Sequence, residues 1–504
     1  MSVLSDLIEK GVSVQHHAPW PRPVVDPAVW ASATLELAKG RLTLLGLWGE
    51  RHAVHMALLD ESAGSIAVIS LEGLADGYPS VARHHPPALR LERAIRDLTG
   101  LEPQDLPDIR PWLDHGRWDL RHPLGERAAT LAEPYPYTFL RAEGDGLHQI
   151  PVGPVHAGII EPGHFRFTAN GETVVRLEER LGYVHKGIEA LMVGRDLLRG
   201  AQLAGRTSGD STVAYAYAFA QAAEAATGLV VPPRALWLRA LMAELERLAN
   251  HLGDIGAICN DAAFPLMLAH CGVLRERVLR ASDTAFGHRL MRDRILPGGV
   301  AVNLGDDGRA ILKALLDEIH RKLPALVELY DNTASLQDRT VGTGRLRCEL
   351  ARQYGAGGYV GRASGRGFDA RDVLRYPPYD QLSFEVPVLN EGDVNARVWI
   401  RIREVEQSLS LLSQIIDRLP DGPIVRDIPF INESREGMAL VEGFRGDVLV
   451  WLRLTRESRI ERCHLRDPSW FQWPLLEAAI EGNIVADFPL CNKSFNCSYS
   501  GHDL

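Results

Sequence analysis

Between about residues 174 and 330 the sequence offers five helical segments in near-unbroken succession, and no other feature restricts the fold as much. They are expected at about 174–196, 210–227, 232–258, 263–290 and 307–330, where apolar residues recur at helical spacing. Pro232-Pro233 starts the third in the favoured first-turn position. Within it Leu238, Leu241, Met242, Leu245 and Leu248 form one stripe that a neighbouring element must cover. A further long helix is expected over about 394–418, after a glycine-rich break at 341–367. Strands around Ile150 and Phe165 precede the helical block, and a mixed portion closes the chain.

Residues 1 to about 140 read differently. Arg41–Trp48 and Ile66–Leu71 have strand composition. Pro86-Pro87 opens a helix along which Leu91, Ile95 and Leu98 align, and Gly100 closes it. Pro103 to Trp118, rich in proline and charge, is expected to be irregular. The proline-rich stretch Glu133-Pro134-Tyr135-Pro136-Tyr137-Thr138 reads as a linker. The expected fold class is therefore α+β: a small N-terminal α/β domain over 1–140, then a larger, mainly helical domain over 145–504. A chain of 504 residues is long enough for two or three domains, each with its own core.

Charge and cysteine usage exclude several functions. A net charge of −10 without a long basic block gives no footing for nucleic-acid binding. Of the six cysteines, Cys259, Cys271, Cys348, Cys463, Cys491 and Cys497, none forms a Cys-x-x-Cys pair, so zinc or iron–sulfur ligation within this chain is not expected. The N-terminus lacks a cationic region followed by an apolar core, and no signal peptide is expected. Thr212 to Val231 is interrupted by Gln221 and Glu224 and falls short of the ~20 apolar residues of a membrane span.

The C-terminal segment Ala486–Leu504 reads ADFPLCNKSFNCSYSGHDL, and Arg206-Thr207-Ser208-Gly209-Asp210-Ser211 stands upstream. With them come Gly153-Pro154-Val155-His156, Ile160-Glu161-Pro162-Gly163-His164-Phe165-Arg166 and Tyr183-Val184-His185-Lys186-Gly187-Ile188-Glu189. Further along stand Glu244-Leu245-Glu246-Arg247 with His251, Arg362-Ala363-Ser364-Gly365 with Asp369 and Arg371, and Glu404 with Gln407 and Ser408. Together these motifs resemble, over nearly the whole second unit, the large subunit of group 4 nickel–iron hydrogenases and its relative, the quinone-site (49 kDa) subunit of complex I. Glu92, Arg93, Asp97, Pro107, Asp108, Arg110 and His115 give the first unit a resemblance to the small peripheral (30 kDa) subunit of complex I. The order matches the fusion in formate hydrogenlyase-type enzymes.

The resemblance implies a damaged metal site. Ser208, Ser211, Ser498 and Gly501 occupy the four columns in which hydrogenases carry nickel-binding cysteines. A neutral hydroxyl is a poor substitute for thiolate on a soft metal, and glycine offers no side chain. No metal or other cofactor is expected in this chain, while an iron–sulfur cluster is expected in a partner subunit. Glu161 stands in the column of a proton-passing glutamate, and either relays protons or pairs structurally with His164 or Arg166. Glu189 stands in the column of a magnesium ligand, where one oxygen alone is weak and a structural role is favoured. Arg445 resembles the arginine that faces the iron ligands, and could pair with Asp210 or Glu161 or lie on a surface turn. His156 and His185 are either quinone or proton contacts or ordinary core histidines. The tyrosine of the complex I quinone site is replaced by Gly209 and its second histidine by Ile160, with Tyr215 and Tyr217 one or two turns later.

The expected site is thus a degenerate polar cavity lined by Glu161, His156, Arg206, Asp210 and Arg445, with the former ligand columns at Ser208, Ser211, Ser498 and Gly501. The resemblance implies a cytoplasmic-side subunit of a membrane-bound redox complex, peripheral on the inner face of the cell membrane. Its expected partners are an iron–sulfur protein like the complex I small subunit, a membrane anchor and antiporter-like subunits. It would act as scaffold or proton path; the alternative is an oxidoreductase using quinone or another small molecule in the vacated cavity. The chain ends one residue past Asp503, so the tail that a maturation protease removes in hydrogenases is not expected.

Overall fold

The computed structural model describes residues 2–75, 77–125 and 136–504, with the backbone of 128–129. Three antiparallel strands, β1 (Thr43–Gly49), β2 (Ala53–Asp60) and β3 (Ser65–Glu72), are buried along almost their whole length, so both faces of their sheet are covered. Two short strands extend it, Pro23–Val24 parallel to β3 and Val12–Ser13 beyond. On one face lies α1 (Leu89–Thr99), which Gly100 ends in the left-handed conformation at φ 83°. This helix buries charge as well as apolar surface. Glu92 accepts from Ser80 Oγ and the Val81 and Ala82 amides at 2.7, 2.8 and 3.0 Å. Asp97 accepts from the amides of Trp112, Leu113 and Asp114 at 2.7, 2.7 and 3.1 Å. The irregular segment expected after residue 103 is held to α1 by the Asp97 bonds, with one short parallel bridge between Gly77–Pro79 and Glu102–Gln104.

The second unit opens on an antiparallel sheet of β4 (Leu147–Val152), β5 (His164–Asn170) and β6 (Thr173–Arg180). The helix expected over 174–196 is not formed. Asn170-Gly171-Glu172-Thr173 makes a tight hairpin with Gly171 at φ 58°, and Val174 and Leu177 are buried beside β5. Gly182 and Gly187, both at positive φ, then hold a turn, and only Ile188–Met192 is helical. The other long helices form as expected: α2 (Thr212–Thr227), α3 (Pro233–Asp261), α4 (Pro265–Phe286), α5 (Asp306–Asn332) and α6 (Val394–Arg418). The α3 stripe from Leu238 to Leu248 is fully buried. A meander of β7 (Arg435–Gly443), β8 (Gly446–Leu454) and β9 (Ile460–Arg466) packs on α2, and α7 (Ser469–Ile480), α8 (Phe488–Phe495) and the turn of helix Tyr499–His502 end the chain. No helix among the described residues is long and apolar enough to cross a membrane.

The two units share their cores. Leu45, Trp48, Leu59 and Val68 from the first sheet pack with Met438, Leu449 and Trp451 from β7 and β8. His17–Ala18 is a parallel edge strand of the β7–β9 sheet. Glu133, Pro134 and Tyr135 of the proposed linker lie outside the described residues, but Tyr137 accepts from Arg93 Nη2 at 2.8 Å and the Thr138 carbonyl from Arg110 Nη1 at 2.8 Å.

The seam between α3, α6 and β7 is ionic. Arg362 donates to Glu404 at 2.8 Å, Glu442 at 2.9 Å and Asp369 at 3.3 Å, and all four side chains are buried. Arg371 reaches Asp369 at 2.7 Å and Glu244 at 2.9 Å, and His251 Nε2 lies 2.7 Å from Glu404. Arg362→Ala leaves three carboxylates facing one another without their shared cation. We expect it to destabilise the protein by about 3–5 kcal/mol in urea unfolding, with little recovery in Arg362→Lys because a compact ammonium cannot reproduce the spread, planar fork that reaches the three carboxylates. A loss under about 1 kcal/mol, the scale of an exposed pair, would contradict this.

Candidate functional site

Three chain segments meet around Asp210. The first is the turn Ser208–Ser211 ahead of α2, the second is the β7–β8 hairpin tip, and the third is the C-terminal segment. The hairpin closes Gly443 against Gly446, which leaves Phe444 and Arg445 as its two-residue tip. Arg445 is buried, and its two terminal nitrogens clamp the Asp210 carboxylate at 2.8 and 2.6 Å. It also donates to Ser211 Oγ at 3.2 Å and through Nε to the Asn496 carbonyl at 2.5 Å. Asp210 accepts in addition from Ser208 Oγ at 2.7 Å and Ser211 Oγ at 3.3 Å. Burial pushes the Asp210 carboxyl up, but the Arg445 charge and these hydrogen bonds outweigh it and hold the group down to about 2.

Two of the serines expected at ligand columns touch. Ser498 Oγ lies 3.2 Å from Ser208 Oγ and caps the last helix by accepting from the Gly501 amide at 2.9 Å. A Cβ at Gly501 would stand 2.3 Å from Asp467 Oδ2 and 2.8 Å from Ser498 Oγ. Asp467, which sequence reasoning missed, takes a 2.5 Å hydrogen bond from Tyr215. That links a tyrosine of α2 to the same corner, whereas Tyr217 donates to Pro377 elsewhere.

Here the ion pair and the serine hydroxyls hydrogen-bond to one another. The neighbouring cavity of about 100 Å³ reaches Asp210 alone of the residues expected to line it, alongside Gly209, Glu246 and Asn250. Glu246 closes the N-terminus of α2 by accepting from the Val213 and Ala214 amides at 2.7 and 3.0 Å, and burial pushes it up to about 8.

The remaining expected residues are dispersed. Arg206 turns away to a partly exposed pair with Asp293, its Nη2 2.7 Å from Oδ2. Glu161 accepts from the Ser500 amide at 3.1 Å and pairs with neither His164 nor Arg166 in the hydrogen-bond pattern. His156 closes its own loop, with Nε2 2.7 Å from the Gly163 carbonyl. His185 Nδ1 is 2.9 Å from the Asp503 carbonyl. Glu189 is fully engaged by Arg462 at 2.7 Å, His464 at 2.9 Å and the Leu465 amide at 2.9 Å. Burial opposes its ionisation, yet the Arg462 and His464 charges and the hydrogen bonds together outweigh it and hold it at about 2. Burial pushes the Cys491 thiol up to about 11 and the Cys497 thiol well above its ordinary value. Among the described residues no three His, Cys, Asp or Glu side chains form a metal-holding group.

Comparison with known proteins gives consistent matches. Residues 263–438 match the family described as the respiratory-chain NADH dehydrogenase 49 kDa subunit. The chain is 32% identical to formate hydrogenlyase subunit 5 of Escherichia coli (strain K12), over 84% of this chain and 77% of that protein. It is 30% identical to hydrogenase-4 component G of the same organism, over 90% and 81%. It is 32% identical to an NADH-quinone oxidoreductase subunit of Dehalococcoides mccartyi, over 67% and 92%. A chain in the solved structure of the membrane-bound sulfane sulfur reductase, an archaeal respiratory membrane complex, superposes with a TM-score of 0.68 and 26% identity. The match covers 72% of this chain and 100% of that one.

Arg445→Ala removes the guanidinium that clamps Asp210. Asp210 keeps 34% of its side-chain surface, so we expect a loss of about 2 kcal/mol, less than for a fully buried pair. The sign with pH follows from a carboxyl held at about 2 in the folded state against 3.8 unfolded. The pair's stabilisation is complete above about pH 5 and fades as pH falls through 3.8 toward 2. Urea unfolding at pH 7 and pH 3 should therefore show the gap between wild type and variant shrinking at the lower pH. Asp210→Asn in the Arg445→Ala background should recover part of the loss, and no recovery would contradict the pairing.

Proposed function

The chain belongs to the family of nickel–iron hydrogenase large subunits and complex I 49 kDa-type subunits, and from that membership we propose that it is a subunit of a membrane-bound redox complex of formate hydrogenlyase or complex I type in which hydrogen activation has been lost. The observation that carries this reading is the Asp210–Arg445 ion pair set among Ser208, Ser211 and Ser498. A soft metal centre takes thiolates, and three neutral hydroxyls and a glycine do not fit one. A guanidinium 3.2 Å from Ser211 Oγ repels a cation, and a cysteine side chain at position 501 would run into Asp467. No step of chemistry is assigned to a nickel–iron centre here.

What remains is a scaffold. Glu161, in the proton-passing column, keeps a contact with the C-terminal helix through the Ser500 amide, which supports a retained proton path or a purely structural hold. The loop between β4 and β5 that carries Glu161 exposes Val155 at 81% and Ile159 at 98%, apolar surface suited to burial by a partner. We assign that face to an iron–sulfur subunit that brings the cluster, with a membrane anchor and antiporter-like subunits holding the assembly on the cytoplasmic face. The boundary between a 30 kDa-like unit (1–140) and a hydrogenase-like unit (145–504) belongs to the same proposal. Quinone chemistry in the vacated space is the weaker reading. The Ser208 and Ser498 hydroxyls are satisfied by each other at 3.2 Å.

The complex should be purified through a tag on this chain and analysed for metals and subunits. We expect iron and co-purifying iron–sulfur and membrane subunits, nickel at trace level only, and no hydrogen-dependent dye reduction. Stoichiometric nickel that survives dialysis would overturn the proposal.

A further inference from the structure

A cavity of about 720 Å³ opens where segments of both units and the linker converge, within the size range of small-molecule sites. It shares no residue with the Asp210–Arg445 cluster. Four arginines line it, Arg117, Arg141, Arg166 and Arg180, against a single carboxylate, Asp114. Phe139 and Tyr183 add apolar wall.

Arg180 at its floor is 2% exposed. It has no carboxylate partner among the described residues. It donates to the carbonyls of Trp112 and Asp114, the latter at 3.4 Å, and lies 4.4 Å over the Tyr137 ring. Elsewhere Arg362, Arg371, Arg239 and Arg445 each meet at least one carboxylate when buried. Arg397 does not, but three oxygen acceptors at 2.7–2.9 Å, on Ser494, Gly392 and Gly344, close over it. Arg166, also without a carboxylate, makes only two long hydrogen bonds, 3.4 Å to His164 and 3.4 Å to Gln149, and sits 4.2 Å over Phe139. Arg141 is exposed at the rim. Burial, with the Arg93 charge adding to it, holds the Arg180 guanidinium down to about 10, as for a cation short of counter-charge.

We propose that this cavity binds a small, multiply charged oxyanion carrying phosphate or carboxylate groups, gripped by Arg180, Arg166 and Arg141. Planar guanidinium forks suit such groups, which take two hydrogen bonds from one arginine. An occupant would touch residues 111–117 of the first unit, the linker at 136–141 and β5–β6 of the second, and so would brace the junction of the units.

The purified full chain should be titrated with pyrophosphate and, separately, with citrate, against sodium chloride at matched ionic strength, by calorimetry and thermal unfolding. We expect saturable one-to-one binding of at least one of the two and a rise in Tm with concentration. Preference for pyrophosphate assigns a phosphate ligand and preference for citrate a carboxylate ligand. The double variant R141Q/R166Q, both positions clear of the packed core, should bind about ten-fold more weakly or worse with an unchanged circular dichroism spectrum. Arg280→Gln, exposed and paired with Glu276 on α4, should bind as wild type. Absence of saturable binding of either anion below about 10 mM, or unchanged binding by R141Q/R166Q, overturns the proposal.

Discussion

Arg362 is the interaction on which the second unit depends. It stands at the end of the short helix Gly358–Arg362 and holds Glu404 of α6, Glu442 of β7 and Asp369 at once. Around it the buried cluster contains four carboxylates, Glu244, Asp369, Glu404 and Glu442, and three guanidiniums, Arg247, Arg362 and Arg371. The count leaves one negative charge in excess, which a buried site cannot hold cheaply. Burial pushes His251 down, while burial and the neighbouring Asp369 push Glu442 up. Both Glu442 oxygens accept, from Arg362 at 2.9 Å and from the Ala370 amide at 3.0 Å. Apolar residues of the same volume could make this seam at least as stable. What the charges supply is register, since each fork accepts only one placement of α3, α6 and β7.

The same exchange of cation and carboxylate recurs where the family resemblance expects metals. At the nickel column the positive charge belongs to Arg445, clamped on Asp210. At the magnesium column it belongs to Arg462, on Glu189, with His464 completing the shell. In each case the guanidinium charge and the hydrogen bonds together outweigh burial and hold the carboxyl low.

Long elements with one unambiguous period were legible from the sequence. α3 and α6 could be placed because their apolar stripes run for several turns, and α1 because a proline pair and Gly100 bracket it. The stretch from 174 failed because Val174, Leu177 and the following leucines fit either period, and the deciding facts, a hairpin glycine and the partner strand β5, lie outside any helical window. The sharing of cores was not legible at all. Trp48 and Trp451 meet across some four hundred residues, and nothing local marks either as an inter-unit contact. At the site, charge logic anticipated the Arg445–Asp210 pair, since a buried carboxylate requires a cation. It misplaced Arg206, for which Asp293 was an equally good and closer partner, and it missed Asp467, whose bond to Tyr215 spans 252 residues.

The Arg362 cluster and the Asp210–Arg445 site share one hairpin. Glu442 and Arg445 are three residues apart on the β7–β8 hairpin, so one strand end carries a member of each. The hairpin tip rests directly on the backbone of Gly357 and Gly358. A Cβ at Gly358 would lie 2.0 Å from the Arg445 carbonyl, and its φ of 62° is one that only glycine takes without strain. Four residues later the same short helix delivers Arg362. Arg247 donates to the Gly443 and Glu442 carbonyls, both at 2.9 Å, which pins the strand end from the α3 side. The hairpin tip cannot shift toward Asp210 without moving Glu442 against Arg362, or without breaking the Arg247 bonds.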